Sequence, residues 1–258
     1  MTPTPGARGV LFDVDGTLLD RDRPIPGAAQ ALERLRARGI PFRLGTNTTR
    51  RPRSAVAEVL RRGGVEVRDD EVLAPAVLAR RRILDSGRGR AALLVPPASR
   101  QDFAGVQEDD DRPDWVVLGD LGREFTFARM NQALRCLRNG ARLIALHKNR
   151  TWDNGVDGIV LDAGPFVAAL EFATGLDAEV VGKPARGFFE LALKELGRAA
   201  GETLVVGDDI DADGRGGAAA GCRTALVLTG ITTRADIERS GFRPDQVCNS
   251  VVDLSLPE

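Results

Sequence analysis

Apolar and polar positions along the chain follow two patterns. Val10, Leu11 and Phe12 form a short apolar run without alternation, as expected of a strand buried on both faces of a parallel sheet. Further strands are predicted over 41–46, 91–95, 115–118, 143–146, 203–206 and 224–228, and residues 246–254 close the sheet edge. Between these runs the apolar spacing changes to that of helices. Ala28, Ala31, Leu32 and Leu35 place a helix over 27–38, closed by Gly39. Others are expected over 53–60, 75–84, 127–137, 165–172 and 188–196, with Phe127, Met130, Leu134 and Leu137 on one face of the fourth. A loop and short helix cover 231–240, and the acidic stretch 107–114 is expected to be an exposed loop. Strands alternating with helices predict an α/β fold with a doubly wound parallel sheet.

The strand ends carry the chemistry. The first run stops at Asp13-Val14-Asp15-Gly16-Thr17, which places two carboxylates one residue apart at the edge where open α/β sheets bind ligands. Two carboxylates this close need a cation or a proton to compensate them. Asp and Gly also make ordinary turns, so the other strand ends must decide between the two. The run over 41–46 ends in Thr46-Asn47-Thr48-Thr49, side chains suited to an anion cradle ahead of a helix, although a plain loop with an N-cap would look the same. After a second βα-type unit inserted into the first, the first resumes at Val180-Val181-Gly182-Lys183-Pro184, which supplies a cation. The run over 203–206 ends in Gly207-Asp208-Asp209-Ile210-Asp211-Ala212-Asp213, with more carboxylates than helix capping explains.

Composition sharpens this picture in three ways. A net charge of −1, no tyrosine and 5% aromatic residues argue against nucleic-acid and membrane-surface partners. The first residues lack a signal-peptide core, and Cys136, Cys222 and Cys248 show neither a disulfide framework nor a zinc spacing. The expectation is a cytoplasmic protein with buried thiols. Of 36 basic residues only Lys148, Lys183 and Lys194 are lysine, which raises interest in positions that require a compact ammonium.

The stretch GVLFDVDGTLL over 9–19 resembles the first motif of the haloacid dehalogenase superfamily, most of whose members are phosphatases. Thr46, Lys183 and Asp208 follow in the order of that family's other motifs across essentially the whole chain. The long gap between Thr46 and Lys183 is similar to the layout of the NagD-like branch, whose α/β cap sits between the second and third motifs. GDDIDADGRGGAAAGCRTALVLTG over 207–230 follows that branch's pattern. LIALHKNRTW and GPFVAALEFATG resemble the cap of the phospholysine/phosphohistidine phosphatase-like members. The chain departs at Gly214, where an apolar residue is common, and in TNTT, where many relatives have TNNS.

The resemblance implies a Rossmann-like core over 1–76 and 182–258, with an inserted cap over 77–181. It implies a phosphatase of small phosphorylated metabolites, with Asp13 as nucleophile and Asp15 as general acid/base. Mg²⁺ would be held by Asp13, the backbone carbonyl of Asp15 and Asp208, with Asp213 and Asp209 in support. Thr46, Asn47, Thr48 and Lys183 would bind phosphoryl oxygens, while His147 and Arg150 form a specificity loop in the cap. A homodimer through the cap is compatible with this layout, and no nucleic acid or membrane partner is expected. A phosphoamide or pyrophosphate hydrolase is the alternative activity. A receiver-like phospho-Asp signalling domain or an idle interaction protein on the same fold is the non-enzyme alternative. The receiver reading leaves the large insertion unexplained.

Overall fold

A computed structural model describes residues 7–255 and divides them into two compact units. The first contains the segments up to Thr46, Arg53–Leu73 and from Lys183 onward, and the second comprises Asn47–Pro52 and Ala74–Gly182.

The first unit holds a six-stranded parallel sheet. Its strands lie in the order Gln246–Cys248, Arg223–Val227, Thr203–Gly207, Gly9–Asp13, Phe42–Gly45, Val72–Leu73. Numbered along the chain, this is the doubly wound order 3-2-1-4-5-6. It reverses between Gly9–Asp13 and Thr203–Gly207, and at such a reversal the two strand ends open a crevice for ligands. Alternate residues serve opposite faces. Val10, Phe12, Leu44, Leu204 and Val206 pack with the helices Ala28–Ala37 and Arg53–Arg62. The helix Arg186–Leu196 buries Phe188, Phe189, Leu191, Ala192 and Leu196.

The second unit has its own five-stranded parallel sheet. The order is Glu179–Val180, Arg142–Ala145, Trp115–Leu118, Arg90–Leu94, Gln107–Glu108, or 2-1-3-4-5 along the chain. One face packs Ala92, Leu94, Val116, Leu118 and Leu143 with the helices Phe127–Arg138 and Ala163–Thr174. The other packs Leu93, Trp115, Val117, Ile144 and Leu146 with the helix Pro75–Asp85.

Three expectations are corrected. Glu179–Val180 does not resume the first sheet. It pairs with Arg142–Ala145 at an edge of the second, and the first unit resumes at Lys183. The stretch 107–114 is not wholly loop, because Gln107–Glu108 adds the opposite edge strand. Phe127 does not join the packed face of its helix. It stands in the first turn after the Thr126 cap and is 86% exposed, while Ala133, Cys136 and Leu137 are buried. The cysteines are free thiols, Cys136 and Cys248 buried and Cys222 partly so. Among the described residues no helix is long and apolar enough to cross a membrane.

Burial of the central strand sets a clear stability expectation. Phe12 is fully buried, so Phe12→Ala should cost ~3–5 kcal/mol of unfolding free energy. Phe172→Ser, at an exposed position on its helix, should stay within ~0.5 kcal/mol of wild type. Urea midpoints of the two variants against wild type check the contrast.

Candidate active site

Asp13 ends the strand Gly9–Asp13 with its side chain buried, Val14 turns into the apolar core, and Asp15 emerges exposed. Asp13 and Asp15 share the same parity along the chain, so the difference in their burial comes from Asp15 lying beyond the end of the strand. The chain then reverses tightly, with the Leu18 and Leu19 amides donating to the Val14 carbonyl at 2.9 and 2.8 Å. Gly16 sits at φ 81°, and a Cβ there would overlap the Asp208 carboxylate, so glycine is required on both counts. On the neighbouring strand Phe42–Gly45, Thr46 follows directly. Its amide donates to the Leu73 carbonyl at 3.0 Å and its hydroxyl to Asp15 Oδ2 at 3.2 Å.

Across the sheet reversal, Asp208 follows Thr203–Gly207 and accepts the Ile231 amide at 2.8 Å. A Cβ on Gly230 would collide with Asp208, so this second glycine allows the close approach. Thr229 closes the same corner by donating to the Gly16 carbonyl at 2.6 Å. Asp209 is partly exposed and caps the wide π-type turn Ile210–Arg215, accepting the Asp211 and Ala212 amides at 2.8 and 3.0 Å. The turn delivers Asp213 back into the interior.

Lys183 lies between the acids. Its buried ammonium donates to Asp13 Oδ1 at 2.5 Å, Asp213 Oδ1 at 2.7 Å and the Gly45 carbonyl at 3.2 Å. Burial works to lower its pKa, but Asp13 and Asp213 outweigh that and hold it above the ordinary lysine value. Asp13 is pushed up to about 7 by burial, against the pull of Lys183 and with Asp208 and Asp15 adding to the rise. Burial and Asp213 push Asp208 up to about 7, and burial likewise raises Asp213 to about 7.

These acids fit a hard divalent cation. Asp13, Asp208 and Asp213 each offer an oxygen, all within 4.8 Å of one another. Asp13 Oδ2 is buried and has no hydrogen-bond partner among the described residues. Three carboxylates facing one ammonium leave excess negative charge when ionised, and all-oxygen donors suit Mg²⁺. Asp213 joins the same cluster while also bound to Lys183, whereas the sequence suggested only a supporting place for it.

The remaining candidates lie in the second unit. Asn47 and Thr48 are part of the segment Asn47–Pro52, which groups with that unit although Thr46 does not. His147 is 2% exposed. Its Nε2 lies 3.4 Å from Thr49 Oγ1 and its Nδ1 accepts the Asn149 amide at 3.3 Å. It stands two residues beyond the end of the strand Arg142–Ala145, after the buried Leu146. Arg150 is exposed, and its carbonyl accepts the Asp162 amide at 3.1 Å.

Sequence reasoning missed Gly230, Thr229 and Thr49. The glycine and threonine stand together after the strand Arg223–Val227, in the stretch 228–230 that reads LTG. A strand end followed by small residues was the available signal. For Thr49 the signal was its place in the TNTT run.

A family model described as haloacid dehalogenase-like hydrolase matches residues 10–107, and a HAD-hydrolase-like model matches residues 180–254. The chain is 40% identical to "Haloacid dehalogenase-like hydrolase domain-containing protein 2" of Bos taurus, over 94% of this chain and 92% of that protein. It is 38% identical to the "Phospholysine phosphohistidine inorganic pyrophosphate phosphatase" of Bos taurus, over 97% and 95%. Among solved structures, the p-nitrophenyl phosphatase from Archaeoglobus fulgidus matches with a TM-score of 0.91 at 33% identity, covering 97% of this chain and 99% of that one. NagD from E. coli K-12 matches with a TM-score of 0.88 at 28% identity, covering 96% and 98%. With its acidic strand ends, its two parallel sheets and relatives of this similarity along nearly its full length, the chain belongs to the haloacid dehalogenase-like hydrolases, among NagD-like structures.

Proposed function

We propose that the protein is a Mg²⁺-dependent phosphatase of small phosphorylated molecules, with the inserted unit as its cap, acting through an aspartyl phosphate on Asp13. The observation that carries this reading is the state of the Asp13 carboxylate. One oxygen is tied to Lys183, and the other is buried without a hydrogen bond at the reversal point of the sheet. A carboxylate oriented at one atom and unoccupied at the other is available to a metal and to phosphorus.

In the first step an Asp13 oxygen attacks phosphorus in line, and the bond from phosphorus to the leaving oxygen breaks. Asp15 gives its proton to that leaving oxygen. In the second step the Asp15 carboxylate takes a proton from water as the water oxygen attacks phosphorus. The bond to Asp13 then breaks and inorganic phosphate is released. The Thr46 hydroxyl orients Asp15. Lys183 neutralises charge on Asp13 and on the phosphoryl oxygens, which Thr46, Asn47 and Thr48 also bind. Mg²⁺ held by Asp13 and Asp208, with Asp15 contributing its backbone carbonyl and Asp213 and Asp209 in support, would neutralise phosphoryl charge and align the reacting oxygens.

Phosphoamides and pyrophosphate are the second substrate class. The 38% identity to a phosphatase named for phospholysine, phosphohistidine and inorganic pyrophosphate favours testing them. Phosphate release across a panel of sugar phosphates, nucleotides, phosphoglycolate, pyridoxal phosphate, phosphoamides and pyrophosphate separates the classes by kcat/KM.

Three outcomes test the mechanism. Asp13→Asn should lower kcat on p-nitrophenyl phosphate more than about a thousandfold while circular dichroism stays native; appreciable steady-state turnover would rule out the nucleophile.

Turnover should vanish after dialysis against EDTA and return with Mg²⁺, and Ca²⁺ should inhibit because its looser coordination misplaces the reacting groups. Full activity in excess EDTA contradicts the metal role.

Lys183→Arg should lose about a hundredfold in kcat/KM, the order of one preorganised electrostatic contact. A planar fork does not reproduce one ammonium set among Asp13, Asp213 and Gly45. Wild-type kinetics in that variant would remove Lys183 from the site.

A further inference from the structure

The segment Asn47–Pro52 is held inside the second unit by a buried polar cluster that the mechanism above does not use. Its centre is Thr49, 3% exposed. Thr49 Oγ1 accepts the Asp120 amide at 2.8 Å and lies 3.4 Å from His147 Nε2, and the Thr49 carbonyl accepts the Ser99 hydroxyl at 2.7 Å. The next residue is anchored as well. The Arg50 guanidinium stacks over Trp152 at 4.7 Å and pairs with Asp120 Oδ2 at 3.5 Å. Asp120 Oδ1 in turn accepts the Gly122 amide at 2.8 Å. Four separate parts of the second unit therefore converge on two consecutive residues of one loop.

The histidine contact has a defined chemistry. Because Nδ1 accepts the Asn149 amide, the network assigns the ring proton to Nε2, which then faces the Thr49 hydroxyl oxygen as a donor. This arrangement requires a neutral ring, since a proton on Nδ1 would oppose the Asn149 N–H. Burial holds the imidazole low, at about 4, against the opposing pull of Asp120. Asp162, 3.7 Å from Nε2, and Asp120 are themselves raised by burial, which limits the negative charge that would protonate the ring.

We propose that His147 is a positioning residue: by fixing Thr49 it fixes the backbone that carries Asn47 and Thr48, and so sets how well the protein binds a phosphoryl group. The proposal rests on the phosphatase reading, in which Asn47 and Thr48 contact phosphoryl oxygens. Thr48 is bonded directly to Thr49, so freedom at Thr49 becomes freedom at the two donors before it. A donor that must be ordered at binding loses affinity relative to one already in place.

The test uses the full chain as wild type, His147→Leu, His147→Gln, Thr49→Val and Thr49→Ser. The readouts are melting temperature, kcat and KM for p-nitrophenyl phosphate, and the inhibition constant of inorganic phosphate. Below the melting transition, His147→Leu and Thr49→Val should raise KM and the phosphate inhibition constant about tenfold, as the loss of one buried hydrogen bond allows. His147→Gln, which keeps a donor near the Nε2 position, and Thr49→Ser should recover most of the affinity. A purely structural role would lower the melting temperature and leave phosphate binding unchanged in the folded protein, and that result overturns the proposal. Should His147→Leu fail to fold, the near-isosteric Thr49→Val decides alone. Wild-type protein that neither turns over p-nitrophenyl phosphate nor binds phosphate overturns the phosphatase reading with it, whereas active wild type with unaltered variants overturns this inference only.

Discussion

The candidate site depends on one buried ammonium. Lys183 faces Asp13, Asp213 and the Gly45 carbonyl, three acceptors for its three protons. Without that cation, Asp13 and Asp213 would be two buried carboxylates with no opposite charge between them, a situation met by taking up protons rather than staying ionised. The ammonium lets them share a space that burial alone would forbid to two anions. It still undercompensates the acids, because Asp208 adds a third carboxylate to the cluster. The excess of negative charge, on oxygen donors that lie close together, suits a divalent cation.

Geometry follows from that constraint. The acids can approach the lysine only because two sheet strands end side by side where the strand order reverses. Asp208 can approach Gly16 and Gly230 only because neither carries a Cβ. The wide turn Ile210–Arg215, capped by the Asp209 side chain, folds Asp213 inward. Backbone chemistry and charge are thus inseparable here. A residue with a side chain at Gly16 would disturb the electrostatics as much as the turn.

Much of this was legible in the sequence, and the reasons are local. A strand buried on both faces writes a continuous apolar run, so Gly9–Asp13, Trp115–Leu118 and Thr203–Gly207 could be read directly. Edge strands of two residues leave no such trace, which is why the sequence pattern groups Val180 with the first unit although it pairs with Ala145 of the second sheet. Helical spacing marks a face but not its ends, so Phe127 was counted inward although it stands in the first turn. The scarcity of lysine marks all three lysines alike and cannot tell Lys183, buried between Asp13 and Asp213, from Lys148, which pairs with Glu171 near the surface. The acidic motifs were visible because their residues are close in sequence. The contact between Thr49 and His147 was not, because 98 positions separate the partners and neither pattern encodes the meeting.

That invisible contact bears on how the chain divides its labour. Thr46 belongs to the unit with the acids and the lysine, and Asn47 belongs to the other unit, so the run Thr46-Asn47-Thr48-Thr49 crosses from one to the other at a single peptide bond. Its first residue is anchored by Asp15 and the Leu73 carbonyl, and its last by Asp120, Ser99 and His147. A short run of donors pinned at both ends loses less freedom when an anion arrives than a loop pinned at one. On the proposal made above, the buried histidine at the far end would supply the sequence-distant half of the order that a phosphoryl-binding loop needs. Its neutrality is what allows it to take the Asn149 amide while facing Thr49.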